Sequence, residues 1–506
     1  MSSLRPVDPG AAARADDAFY AAHPEMVRAD GSRIPLSASD PAHEPLRAEW
    51  RERYASVSGA TAPPGAAAAP PDPEPPGGES PPEDDCEPCE EEEEEEEPTV
   101  TVRFGLYFDG TGNNRDNVDE GRRGREGDGF NSYDAAHSNV VKLHKKGASY
   151  AEDVEFRIYV EGIGTISGGE DTTLGFGLGT GATGVPERVL AGLDRAQGRI
   201  VAGATLPIRY VHADLFGFSR GAAAARLCCF WVLNTGGAAG YSSRSMESRL
   251  TRAGKELLGP VEVKFVGLFD TVASYGPFHG DDTAQLRLDS ISAAETVVQL
   301  AAAEEHRAKF RLTNVNSGGR QYFLPGVHSD VGGGYADDLR EGTMTVAQVG
   351  MIWRNSRRDI FFDRQRDWLV ERGWYERRFV TQDGNRLLAV RGAISNGYAT
   401  IPLQIMARKA GEGGVPYDGT IATDGGFGVP DDPVLKTAQR TIEANLEGAP
   451  SATPGPYMHN DAEWHQELRA GYLHFSARHG ETLGAHDPDY AGSGMDQRRR
   501  RTIQDG

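Results

Sequence analysis
The feature that most constrains this chain is the passage from Tyr210 to Arg226, where an apolar run enters Gly217-Phe218-Ser219-Arg220-Gly221 and an alanine-rich run leaves it. A strand that turns sharply into a helix can hold a serine at its apex only if the positions two before and two after it lack side chains. A Cβ at either place would strike the crossing backbone. Gly217 and Gly221 meet that requirement, and Ala222 extends it by one small residue. Such an elbow lifts the Ser219 hydroxyl above the C-terminal edge of a parallel sheet. It also aims the first amides of the following helix at whatever the serine attacks. The pentapeptide alone could arise by chance among 63 glycines, but the strand before it and the helix-forming run after it are the context the motif needs.

The rest of the chain repeats this pattern. Thr99–Phe108, Val154–Val160, Val261–Phe269 and Gln321–Val327 are β-branched, aromatic or apolar runs that read as strands. Ser138 caps a helix through Val140, Val141 and Leu143, Val185–Ile200 has helical spacing, and Ser292–Phe310 also reads as a helix. Most strands run into glycine-rich or Asp-led loops, which predicts a mainly parallel, doubly wound α/β sheet with its active edge at the strand C-termini. The glycine-dense loop 168–184 reads as mobile and substrate-facing.

Composition sets the domain plan. Residues 1–55 read as a modestly helical N-terminal segment for delivery or partner contact. Residues 56–98 are rich in Pro and Ala and then in Glu, and read as a disordered acidic linker, because like charges repel and proline blocks pairing. Asp72–Glu97 holds 15 acidic and no basic residues, so most of the net charge of −22 is local. A nucleic-acid partner is disfavoured, because phosphate neutralisation needs clustered Lys and Arg. Residues 99–340 form the catalytic domain, and 341–506 an accessory, largely helical region. There Trp353, Phe361, Phe362, Trp368, Leu369 and Trp374 lie among arginines, a mixture that suits either a membrane or substrate interface or, as favoured here, a cover over the catalytic domain. Arg498–Arg501 is a short basic tail, too small to imply nucleic acid. No secretory signal opens the sequence, and the longest apolar run, Leu227–Leu233, is too short to span a bilayer, so synthesis in the cytoplasm is expected. Cys228 and Cys229 read as packing residues. The single Cys86-x-x-Cys89 pair cannot close a tetrahedral metal site, and no metal or cofactor is implied.

Ser219 needs a base, and the base needs an orienting carboxylate. Of 13 histidines, His328 is the one directly after a strand on the predicted active edge, and Asp270 holds the equivalent place on the strand between. The order Ser219, Asp270, His328 is that of α/β-hydrolases. Asp330 and His474 are the secondary candidates, Asp330 also as a binder of loop amides and His474 as an alternative base. His212 and Asp214 read as buried or edge polar groups of the strand. One oxyanion donor is the Arg220 amide. The other is assigned to Gly110 or Thr111, on the turn Asp109-Gly110-Thr111, which Asp109 orients or merely closes. Haloacid-dehalogenase phosphatases share an Asp-Gly-Thr turn, but Tyr107 stands where their nucleophile would be, and no Gly-Lys-Ser/Thr phosphate loop is present. These parts describe a serine hydrolase working through an acyl-enzyme. An esterase for small soluble esters and a catalytically dead binding module stay open as alternatives.

Four motifs taken together carry a resemblance. They are Phe108-Asp109-Gly110-Thr111-Gly112-Asn113-Asn114, Gly217-Phe218-Ser219-Arg220-Gly221-Ala222, Leu268-Phe269-Asp270-Thr271-Val272-Ala273-Ser274 and Val327-His328-Ser329-Asp330-Val331-Gly332-Gly333-Gly334-Tyr335. In this order they resemble an α/β-hydrolase family whose bacterial members include the type VI secretion lipase effectors, phospholipases injected into rival cells. A weaker similarity continues through Ile401–Met406. The resemblance implies Ser219 as nucleophile, Asp270 as acid and His328 as base, acting on phospholipid acyl esters of a target membrane. It further implies a secretion spike protein and an immunity protein as partners, and secretion to the periplasm or membrane of a target cell.

Overall fold
The computed structural model describes residues 97–506 apart from 125–130, 172–180, 234–241, 274–285, 316–317, 351–354, 447–449, 452, 455–461 and 481–485. The N-terminal segment, nearly all of the acidic linker, the Cys86/Cys89 pair, Trp353 and the centre of the 168–184 loop lie outside the described residues.

Six strands form one sheet: β1 (Val100–Phe108), β2 (Val154–Val160), β3 (Ile208–Phe218), β4 (Val261–Phe269), β5 (Thr296–Ala302) and β7 (Arg320–Leu324), while the two-residue β6 (Leu312–Thr313) lies outside it. Their order is β2-β1-β3-β4-β5-β7, and every neighbouring pair is parallel. The chain steps outward from β1 to β2, then returns to lay β3 on the other side of β1. That reversal opens a crevice at the strand C-termini, the usual place for a site in such sheets.

Alternate residues of each strand feed two hydrophobic clusters. Val102, Phe104, Leu106 and Phe108 of β1 pack with Val211, Ala213 and Leu215 of β3 against the helices Val185–Gly203 and Arg220–Leu233. Cys228 and Cys229 are buried here, as their packing role requires. The opposite face, with Tyr107, Phe216, Phe218, Phe265, Phe269, Leu300 and Leu324, is covered by Val140 and Leu143 of the Ser138-capped helix Asn139–Lys145. It is also covered by residues far along the chain, among them Phe361, Phe362, Leu369, Trp374, Ile401, Leu403, Leu468 and Phe475.

Residues 341–506 therefore supply part of the layer that buries one sheet face. Their aromatic residues Phe361, Phe362 and Trp374 are buried, which removes them from any lipid-facing surface. Among its described residues the region holds the α-helices Asn355–Glu371, Thr400–Glu412, Pro433–Leu446 and Glu463–Gly471. It also carries a small antiparallel sheet of Thr343–Gln348, Val380–Asp383 and Arg386–Val390.

One element differs from the sequence reading. Ser292–Phe310 is no helix: a 3-10 turn ends at Ala293 and Thr296–Ala302 is the strand β5 between β4 and β7. A parallel strand buried on both faces shows a continuous apolar run instead of alternation. Val297-Val298-Gln299-Leu300-Ala301-Ala302, followed by helix-forming Ala and Glu, imitates a helix. Among the described residues no helix is long and apolar enough to cross a membrane. Because Leu300 is fully buried between β4 and β7, Leu300→Ala should cost about 2–5 kcal/mol. A shift of the urea unfolding midpoint measures it, and an unshifted midpoint would place Leu300 outside the core.

Candidate active site
The elbow forms as the glycine spacing requires. Ser219 follows β3 directly, with φ of 59°, a left-handed conformation that costs an L-residue about 1–2 kcal/mol. The strain is held by neighbours: the Ser219 amide donates to Phe269 O at 3.0 Å, and its carbonyl accepts from Ala222 at 3.0 Å. A Cβ on Gly217 would overlap the Gly221 carbonyl and the Ala222 backbone, and one on Gly221 would overlap the carbonyls of Phe108 and Asp109. The elbow is thus pressed against the end of β1.

Asp270 follows β4 and is the second left-handed residue of the site, at φ 47°. His328 opens the short helix His328–Gly332 four residues after the last residue of β7. The two meet: His328 Nδ1 lies 2.6 Å from Asp270 Oδ2, and both side chains are buried. Asp270 Oδ1 also accepts the Ala302 amide at 2.8 Å. Burial alone would raise the Asp270 carboxyl, but the Arg501 guanidinium and His328 outweigh it and hold the group below the ordinary carboxylate range. Burial lowers the His328 imidazole, with Asp270 opposing and Arg307 reinforcing that shift.

The histidine is held through its backbone as well as its ring. Its amide donates to Glu305 Oε2 at 3.2 Å, and Glu305 is itself clamped by Arg307 (Nε to Oε1 2.9 Å, Nη2 to Oε2 2.8 Å). The Phe310 ring meets the imidazole edge-on with centroids 5.0 Å apart, and the Phe218 ring lies against it at 4.6 Å. That same Phe218 ring occupies the space that a Cβ on Gly110 or on Gly332 would need.

The turn after β1 is also tightly bound. Asp109 accepts from Ser138 Oγ at 2.5 Å, from Tyr159 Oη at 2.6 Å and from the Gly110 amide at 2.9 Å. Burial pushes its carboxyl up to about 6, with those hydrogen bonds opposing. The Gly110 N–H therefore points into its own turn, which removes it as an oxyanion donor in this conformation. Thr111 Oγ1 accepts from Arg220 Nε at 2.8 Å, a bond that joins this turn to the elbow. Burial lowers the Arg220 guanidinium to about 10.

The secondary candidates pair with each other. His474 Nδ1 is 2.7 Å from Asp330 Oδ1, while Asp330 Oδ2 accepts the amides of Val327 (3.0 Å) and His474 (3.1 Å). Asp330 thus binds loop amides and closes the start of the His328 helix, and His474 is committed to it. Tyr335 stacks on the His474 ring at 3.9 Å. On β3, Asp214 is buried and paired with Arg103 Nε at 3.0 Å, and His212 lies 3.3 Å from Glu262. Among the described residues no group of three or more His, Cys, Asp or Glu could hold a metal ion.

Sequence reasoning did not reach Arg501. Its Nη1 is 2.9 Å from Asp270 Oδ1 and its Nη2 is 2.9 Å from Oδ2, across 231 residues of chain. A run of arginines after an apparently separate region carries no local signal of such a contact. Glu305 was hidden for a related reason, since it stood inside a segment read as a helix.

A parallel sheet with a strained serine, an aspartate–histidine pair and a glycine turn at one edge defines the α/β class of this protein. Residues 238–354 match a family model described as T6SS, Phospholipase effector Tle1-like, catalytic domain. The matched stretch contains Asp270 and His328 and begins after Ser219. Among solved structures, the chain is similar to the Tle1 effector bound to the VgrG spike from the type 6 secretion system. The identity is 22%, the TM-score 0.54, and the likeness covers 81% of this chain and 94% of that one. An uncharacterized protein from Pseudomonas aeruginosa matches at 19% identity and TM-score 0.36, over 72% of this chain and 53% of that one. No curated protein matches. The resemblance to type VI secretion phospholipase effectors first seen in four short motifs is thus supported by the family model and by the fold.

The elbow makes one prediction. Gly221→Ala would force a methyl into the Phe108 and Asp109 carbonyls, and overpacking of this kind costs about 1–3 kcal/mol or more. Thermal unfolding should show a markedly lower Tm, whereas an unchanged Tm would mean that the elbow and β1 do not touch this closely.

Proposed function
We propose that this chain is a serine hydrolase that cleaves acyl esters of membrane phospholipids, a phospholipase A-type antibacterial effector. The observation that carries the chemistry is the buried 2.6 Å contact between His328 and Asp270, on the same sheet edge as the strained Ser219. In this reading Asp270 fixes the Nδ1–H tautomer and leaves Nε2 as the base. His328 takes the Ser219 proton as Oγ attacks the ester carbonyl, then returns it to the leaving alcohol. Water hydrolyses the acyl-enzyme with His328 again as base. The Arg220 amide is one oxyanion donor, and because Gly110 is engaged by Asp109, Thr111 is assigned the second.

The lipid substrate, the spike partner and the immunity protein rest on similarity to the Tle1-like effectors, as does action in the periplasm or at the membrane of a target cell. The catalytic domain in this reading is 99–340, completed by the layer that 341–506 lays over one sheet face.

Mass spectrometry of products from phospholipid vesicles, run beside a short-chain soluble ester, tests the substrate class. Released fatty acid and lysophospholipid are expected with the unaltered protein and should fall by at least 10³-fold in Ser219→Ala. Turnover of the soluble ester alone would make the protein a general esterase. Hydrolysis surviving in Ser219→Ala would remove the serine mechanism. A pH profile adds a second test. Since burial depresses the His328 imidazole, the base stays neutral to lower pH, and the acid limb of kcat/KM should fall below the ordinary histidine value of 6.5. A limb above it would contradict the assignment.

A further inference from the structure
We propose that Arg501 is a positioning residue of the active centre, and that the segment 498–506 is the device that delivers it to Asp270; the proposal rests on the triad reading above. A carboxylate with no exposed surface survives as an anion only if its oxygens are satisfied. Asp270 is fully buried and receives Ala302 N–H and one side of the guanidinium on Oδ1, and His328 and the other side on Oδ2. Arginine suits this place because its planar fork meets both carboxylate oxygens at once and stays charged when desolvated.

The guanidinium is itself fixed. It also donates to the carbonyls of Ala302 and Phe310, which flank the loop after β5. The chain on either side is anchored: Thr502 and Arg500 bond to Asp489, Ile503–Gln504 pairs in parallel with Leu312–Thr313, and the Gly506 amide bonds to Asn314 Oδ1. Four separate contacts thus hold one side chain against the acid of the triad, so the segment is built as a strap whose working group is Arg501.

The proposal predicts a change in chemistry, not merely in stability. Removing a positive charge beside a coupled Asp–His pair makes the pair bind protons more readily, so its apparent pKa rises. In the full-length protein, with a short-chain p-nitrophenyl ester as probe, Arg501→Gln should lower kcat on the order of 10- to 100-fold, as for other partners that orient a catalytic group. KM should change little, and the acid limb of kcat/KM should move to higher pH. Arg501→Lys should keep the acid limb near its original position with an intermediate kcat. Millimolar guanidinium should restore part of the kcat of Arg501→Ala and none of that of Ser219→Ala.

Wild-type kcat and acid limb in Arg501→Gln would overturn the proposal while leaving the triad intact. Activity persisting in Ser219→Ala would instead remove the triad reading on which it stands. Should Arg501→Gln fail to fold by near-UV circular dichroism, Arg501→Lys carries the test, and a kcat equal to wild type there would overturn the role of the fork.

Discussion

The site depends on one close approach of backbones. Where β3 turns into the following helix, Gly217 and Gly221 let the elbow close on itself and on the carbonyls that end β1. No other residue fits either place. Once that crossing is made, Ser219 is forced into a left-handed conformation and bonded to the end of β4, which sets it beside Asp270. The parallel sheet does the rest, since its order brings the ends of β1, β3, β4 and β7 to one edge. Local strain at Ser219 and Asp270 is affordable there because a large two-faced core over-determines the strand positions.

Electrostatics is handled by the same logic of enclosure. Several acids around the site are buried, and each has specific cationic or hydrogen-bonding partners. Asp270 has Arg501 and His328, Glu305 has Arg307, and Glu304 has Arg469 at 2.7 Å. Burial alone would neutralise such carboxyls, but the paired charges hold Glu304 and Glu305 well below the usual range. Asp109, whose partners are hydroxyls and an amide, and Asp330, paired with His474, are exceptions in which burial wins. The pairing of carboxylates with cations also explains why residues after 341, read as an accessory region, enter the neighbourhood of the site: Arg469, His474, Ser476 and Arg501 all bond to acids of the sheet or its loops.

Much of this was readable from local pattern. The strands Val154–Val160 and Val261–Phe269 stand where their β-branched runs place them, and Ser138 caps its helix. The pair His328 and Asp270, chosen because each follows a strand, lie in contact. What escaped was either doubly buried or distant in the chain. β5 lacks the alternation that betrays a half-exposed strand. Asp330 and His474 are 144 residues apart, so nothing local showed that the two would meet. The arginine run near 500 looked like a solvated tail, because a sequence displays charge but not the buried oxygen it will meet.

Phe218 ties these observations together. Its ring touches the imidazole of His328, and it fills the space beside both Gly110 and Gly332. The turn after β1, the helix that begins at His328 and the residue beside Ser219 therefore share one aromatic wedge. A displacement of any of the three must be transmitted to the others through a ring that cannot be compressed. For the proposed hydrolase, adaptation to new acyl groups is accordingly directed away from the elbow, toward surfaces that can change shape without moving that wedge.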